Sequence, residues 1–155
     1  MPIIFYENLS IGTLCASFLF FVYGCRLGGY LLMRELKSAS YRSKMKKEIK
    51  DGKSMKFIAK ISIWTSCALL YATQVSPIFF RLYNNKGTDI VCIIGCVIMG
   101  MGIILESLSD YQKSKAKKKN PNRFCDTGLY KIVRCPNYLG EIILWTGVFV
   151  SGITI

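Results

Sequence analysis

The 155-residue chain contains no histidine. That absence excludes Ser-His-Asp catalysis, zinc sites with imidazole ligands and haem held by histidine. Acidic residues are scarce, 9 against 21 Lys and Arg, which leaves a net charge of +12. No two of the seven cysteines form a C-x-x-C pair. Cys92 and Cys96 share a helical face but have no histidine beside them, so no metal site is expected. No basic residue precedes the first apolar run, only Glu7. A cleaved secretory signal needs a basic flank there, so this run reads as a retained span. What the chain has in abundance is apolar residues, at 52% and a mean hydropathy of +0.33, which excludes intrinsic disorder.

The apolar residues gather into four runs, Leu9–Cys25 (extending past Arg26 to Met33), Phe57–Phe80, Ile90–Leu105 and Leu139–Ile155. Crossing a bilayer takes about 20 residues, with a range of roughly 17–25. Backbone groups in lipid must be satisfied within the segment, so these runs are expected to be helices. The reading is an all-α, multi-pass transmembrane helical bundle of about four spanning helices. Residues 1–155 form a single membrane domain, with helices at about 9–33, 57–80, 89–110 and 137–155 and loops at 34–56 and 111–136. Cys92 and Cys96, and Gly24 and Gly28 at GxxxG spacing, read as small residues packing between helices.

Basic residues lie between the runs: 11 from Arg26 to Lys60, 2 from Arg81 to Lys86 and 8 from Lys113 to Arg134. By the positive-inside rule the two Lys-rich loops are cytoplasmic and the N-terminus is outside. The same sorting argues against nucleic acid as the partner of this +12 chain. The expected location is an integral position in a bacterial inner membrane or the endoplasmic reticulum.

The segment Leu105–Gly147 carries the chemistry. Glu106, Asp110, Lys113 and Lys117 fall on one helical face if the third helix continues into the loop. Two carboxylates at the membrane edge and two amines beyond them suit a phosphorylated dinucleotide, cations for phosphate and carboxylates for ribose or amide groups. Lys115–Lys119 also reads as a clamp on lipid headgroups. Asn120-Pro121-Asn122 breaks the helix and Asp126-Thr127-Gly128 supplies a turn. Arg123 and Arg134 bracket that loop with planar, permanently charged forks suited to phosphate. Pro136 fits the first turn of the last helix, whose N-terminus offers an anion site. Asn137, Glu141 and Trp145 follow at intervals of four, with Tyr138 expected on roughly the same face. Glu141 lies about one turn inside an apolar span, where a carboxylate costs about 2.5–3.5 kcal/mol at the centre and less near the interface.

These residues resemble the membrane steroid 5-alpha-reductase family, and within it the DUF1295 branch. The resemblance rests on Glu106-x-x-x-Asp110-Tyr111-Gln112-Lys113, Asn120-Pro121-Asn122-Arg123-Phe124, Asp126-Thr127-Gly128-Leu129-Tyr130 and Arg134-Cys135-Pro136-Asn137-Tyr138-x-Gly140-Glu141, with a weaker echo at Arg26-Leu27-Gly28. Cys135 stands where the branch usually has histidine. The resemblance implies a multi-helix reductase that uses NADPH, held by Asp110, Arg123, Asn137 and Glu141, with Lys117 as a further phosphate contact; the residue pattern described above adds Glu106, Lys113 and Arg134 to the expected cofactor site. Tyr138 and Glu141 are the expected catalytic pair. The implied reaction reduces an activated C=C bond in a lipid or steroid-like enone that enters from the bilayer. Relatives continue through another helix pair and a basic tail, so the C-terminal part of the family domain is expected to be missing after Ile155, and the chain to be inactive as it stands. Two alternatives remain open. One is an S-adenosylmethionine enzyme like the isoprenylcysteine methyltransferases, which carry a related Arg-His-Pro-x-Tyr-x-Gly motif. The other is a non-catalytic, truncated membrane protein.

Overall fold

The computed structural model describes residues 8–37, 43, 46, 48, 55–120 and 123–155. Among them there are helices and no strand, in the order α1 (Ile11–Lys37), α2 (Phe57–Tyr83), α3 (Ile90–Lys119), α4 (Leu129–Ile132) and α5 (Pro136–Ser151). The protein is all-α. Three helices, α1, α2 and α3, are long and apolar enough to cross a membrane. The 16-residue α5 is apolar as well but reaches only about 24 Å at 1.5 Å per residue. The four expected runs are thus all helical. Their ends differ from expectation: α1 runs past Met33 to Lys37, α2 past Phe80 to Tyr83, α3 nine residues beyond Asp110, and α5 ends at Ser151.

The chain groups into two compact units, Met1–Phe20 with Val75–Ile155, and Phe21–Gln74. In the second unit the helix surfaces are mostly exposed and apolar, with Ile58, Trp64 and Leu69 all more than half exposed. In a bilayer such faces meet lipid, which solvates them without a packing partner. Ser62 and Ser66 return their hydroxyls to the carbonyls of Ile58 and Ser62, so neither leaves a polar group bare. The Arg34 guanidinium lies 5.7 Å above the Tyr30 ring. Gly24 and Gly28 meet no atom within 4 Å that an added Cβ would touch. Their GxxxG spacing therefore marks no packed contact among the described residues.

The first unit is organised by the antiparallel pair α3 and α5. Four glycines at intervals of seven, Gly95 and Gly102 on α3 and Gly140 and Gly147 on α5, face one another. A Cβ at Gly95 would stand 2.6 Å from the Ser151 backbone nitrogen, and one at Gly102 would stand 2.6 Å from that of Leu144. The seam is close backbone-to-backbone packing, the arrangement that holds helices together where lipid removes the hydrophobic drive. Between the glycines, Met99, Leu144 and Val148 are fully buried. Cys92 and Cys96 are buried too, against α1, where the Cys96 thiol approaches the Gly12 carbonyl at 3.8 Å. The small-residue reading of these two cysteines holds. The start of α1 is fixed by Ser10 and Thr13, whose hydroxyls and backbone N–H groups serve each other at 3.0 and 3.3 Å.

A candidate anion-binding cleft at the lysine-rich end of α3

The helix α3 continues past its apolar part because nothing stops it before Asn120. Lys117, Lys118 and Lys119 occupy its last turn, where positive charge complements the helix dipole. Asn120 ends it in an extended conformation, φ −137°, as the residue before a proline prefers. Its N–H still reaches the Ala116 carbonyl at 3.0 Å.

The chain then turns back along α3. Lys117 Nζ donates to the Arg123 carbonyl at 2.9 Å. Gln112 Oε1 accepts the Leu129 N–H at 2.9 Å and so ties the start of α4 to α3. Gly128 makes this approach possible. Its φ is +63°, and a Cβ there would meet Gln112 Oε1 at 2.5 Å. Cys125 and Tyr130 are buried, and the Phe124 ring stands edge-on to Tyr130 at 6.2 Å.

Between α3 and this segment lies an open cleft of about 450 Å³. From α3 it is lined by Gln112, Lys115, Ala116 and Lys119, the i, i+3, i+4, i+7 positions of one helical face. From the returning segment come Asn120, Arg123, Phe124, Asp126, Thr127 and Gly128. Three cations and one carboxylate therefore border it. Arg123 Nη2 and Asp126 Oδ2 form an ion pair at 2.6 Å. The Arg123 hydrogen bond and its positive charge hold the Asp126 carboxyl below the usual carboxylate range.

Of the residues singled out from sequence, Arg123 lines this cleft, and Lys117 props its backbone. Glu106 and Asp110 are buried further along α3, 6% and 8% exposed. Lys113 is half-buried on the same stripe, next to the face that borders the cleft. The cleft face is offset by one residue from the stripe Glu106, Asp110, Lys113, Lys117. It presents Lys115 and Lys119, which the sequence alone assigned to lipid headgroups. Gln112, Asn120, Phe124, Asp126, Thr127 and Gly128 also escaped the sequence reading as lining residues, although the Asp126-Thr127-Gly128 turn was legible.

Arg134 is exposed, and Pro136 stands at the first position of α5 as expected. Asn137, Glu141 and Trp145 are all half-buried, consistent with one shared face. That face flanks the glycine seam, and Gly140 packs directly against Glu106. Tyr138 departs from this stripe. It is 62% exposed, because two residues of helix turn it by about 200° from buried Gly140.

The opposite end of the α3/α5 pair holds a second polar cluster. Arg81, 1% exposed, donates to the carbonyls of Ser151 at 2.9 Å and Gly87 at 2.5 Å, to Thr154 Oγ1 at 3.2 Å and to Asp89 Oδ2 at 3.2 Å. Asp89 caps α3 through the Cys92 N–H at 2.7 Å. The Thr154 hydroxyl, the Cys92 N–H and Arg81 together pull its carboxyl down to about 2, against the opposing effect of burial. The cluster joins the end of α2, the start of α3 and the end of α5. Its chemistry is structural, since its strongest donors are already spent on carbonyls and a carboxylate within the chain.

No curated protein and no solved structure matches the chain. The family model described as protein of unknown function (DUF1295) matches residues 3–155, and the chain belongs to that family.

Proposed function

We propose that the protein is a membrane-embedded, NADPH-dependent reductase of an activated C=C bond in a lipid or steroid-like enone. The observation that carries this reading is the cleft at the end of a membrane-length helix, bordered by Lys115, Lys119 and Arg123. Its volume falls in the range of small-molecule sites, about 300–1,000 Å³. Its lining suits a nucleotide: cations for phosphate, Asn120 and Thr127 for hydrogen bonds, and the exposed Phe124 ring for stacking. Lys115, Lys119 and Arg123 would hold the phosphates. Asp110 and Glu106, buried toward the apolar part of α3, are the carboxylates for ribose or amide groups, with Asn137 and Glu141 on the neighbouring helix. NADPH supplies a hydride when bound.

The remaining chemistry belongs to the chain. Reduction of an enone builds negative charge on the carbonyl oxygen, which a phenol or acid stabilises by donating a proton. Glu141, half-buried on the face of α5 that flanks the seam, is the acid on the side of the cofactor groups, and Tyr138, on the outward face, meets a substrate arriving from the bilayer. In this reading the lysine-rich end of α3 faces the cytoplasm, as the charge sorting requires.

The test is ligand binding to the detergent-solubilised protein. NADPH binding that weakens about tenfold in Lys119→Ala, Asp110→Ala and Asn137→Ala supports the reductase. Binding of S-adenosylmethionine in place of NADPH would move the protein to the methyltransferase class. Binding of neither would refute both enzyme readings and favour a non-catalytic membrane protein.

A further inference from the structure

Asp126 is the one acid among the ten residues that line the cleft. It stands within 2.6 Å of the Arg123 guanidinium, the residue best shaped to grip a phosphate with two parallel hydrogen bonds. The pair is not two long side chains meeting by chance. Both residues sit on a short segment anchored at each end. The Arg123 carbonyl is held by Lys117 Nζ, its N–H by the Asn120 carbonyl at 3.2 Å, and the turn after Asp126 is tied to Gln112. Yet both side chains face solvent, 68% and 55% exposed. An exposed pair of this kind is weakly held and screened by solvent, so an incoming anion of higher charge can break it.

We propose that Asp126 is a built-in competitor for the anion that the cleft binds, occupying Arg123 until a phosphate takes its place. The inference rests on the reading of this cleft as a nucleotide-phosphate site and names the residue that sets its threshold. With Asp126 the lining carries two net positive charges, and without it three. A singly charged anion gains little by replacing one carboxylate with another. A phosphate carrying two charges gains both the Arg123 fork and the attraction of Lys115 and Lys119. Asp126 thereby disfavours weak anions and keeps the guanidinium aimed into the cleft while it is empty of ligand. Because Arg123 holds its carboxyl below the ordinary range, Asp126 stays ionised near neutrality. Release therefore comes from ligand displacement and not from protonation.

The experiment measures binding of NADPH and, separately, of inorganic pyrophosphate to the full chain in detergent. Four proteins are compared: wild type, Asp126→Asn, Arg123→Gln and the double variant. Thermal melting checks that each is folded. Asp126→Asn keeps the side-chain size and is expected to bind both probes about 2–5-fold tighter, the value of an exposed pair. Arg123→Gln is expected to bind about tenfold weaker. In the Arg123→Gln background, Asp126→Asn is expected to gain less than 2-fold. An equal gain with and without Arg123 would reduce Asp126 to a background charge and overturn the proposal, as would unchanged or weaker binding in Asp126→Asn. Pyrophosphate binding without NADPH binding would sink the reductase reading while the competitor role is judged on pyrophosphate alone. Failure of both probes in wild type and Asp126→Asn would sink both.

Discussion

Replacing Gly102 by alanine tests the seam on which the site depends. A Cβ there would lie 2.6 Å from Leu144 N, 2.7 Å from the Gly140 carbonyl oxygen and 2.9 Å from Leu144 Cα. All three are backbone atoms in the body of α5, so no side chain can swing aside. Reaching an ordinary 3.4 Å contact requires the helices to part by about 0.8 Å at this point, and a gap of that size forfeits a quarter to a half of each contact it opens. Overpacking of this kind costs about 1–3 kcal/mol. Alanine returns up to about 1 kcal/mol through helix propensity. With the full propensity gain the net loss is up to about 2 kcal/mol. Gly100, two residues away on the same helix, meets nothing within 4 Å. Gly100→Ala therefore collects the propensity without the clash, and the two variants differ by the overpacking cost alone. Unfolding by sodium dodecyl sulfate in mixed micelles, followed by fluorescence of Trp145 on α5, gives the comparison. Gly102→Ala must unfold at lower detergent fraction than wild type, and Gly100→Ala at the same or higher. Equal stability of the two variants would refute the close seam.

Other outcomes follow from the same structure. Gly128→Ala places a Cβ on a backbone at φ +63°, ψ −129°, a region that costs a non-glycine residue about 1–3 kcal/mol, and against Gln112, so it should destabilise the returning segment and weaken NADPH binding, read by protease nicking between residues 123 and 130 together with a binding titration. Asp89→Asn keeps a helix cap but strips buried Arg81 of its counter-charge, and should cost about 3 kcal/mol in the same detergent unfolding assay. The pH dependence has a definite sign. The folded-state value of Asp89 lies below the unfolded one, so its stabilisation is complete above about pH 4 and is lost as pH falls toward about 2. Asp89→Asn should flatten that acid limb, and an unchanged limb would exclude Asp89 as its source. Lys115→Ala should weaken NADPH binding and reduce its salt dependence, whereas a role confined to lipid headgroups would leave both unchanged and lower binding to vesicles rich in anionic lipid.

The class of the protein follows from its residues alone. Long uncharged runs leave the backbone no partner in lipid except its own, so Ile11–Lys37, Phe57–Tyr83 and Ile90–Lys119 had to be helices. The sequence also placed Pro136 at a helix start and a turn at Asp126-Thr127-Gly128, because those residue types fix local backbone geometry whatever surrounds them. It did not fix which glycines pack. Gly24 and Gly28 have the familiar spacing and no neighbour, while Gly95, Gly102, Gly140 and Gly147 lie on two helices separated by a long stretch of chain. Nor did it fix which lysines face the cleft. Lys113 and Lys115 differ by two positions on one helix, and periodicity names the stripes without saying which of them the chain folds back to cover. That choice is made by Gln112 and Gly128, which meet only once the segment beyond Asn120 returns. Arg81, counted from sequence as a loop charge, becomes part of a buried staple with Asp89 for the same reason. A side chain's neighbours across the fold, not along the chain, decide whether its charge is solvated, paired or left to bind something else.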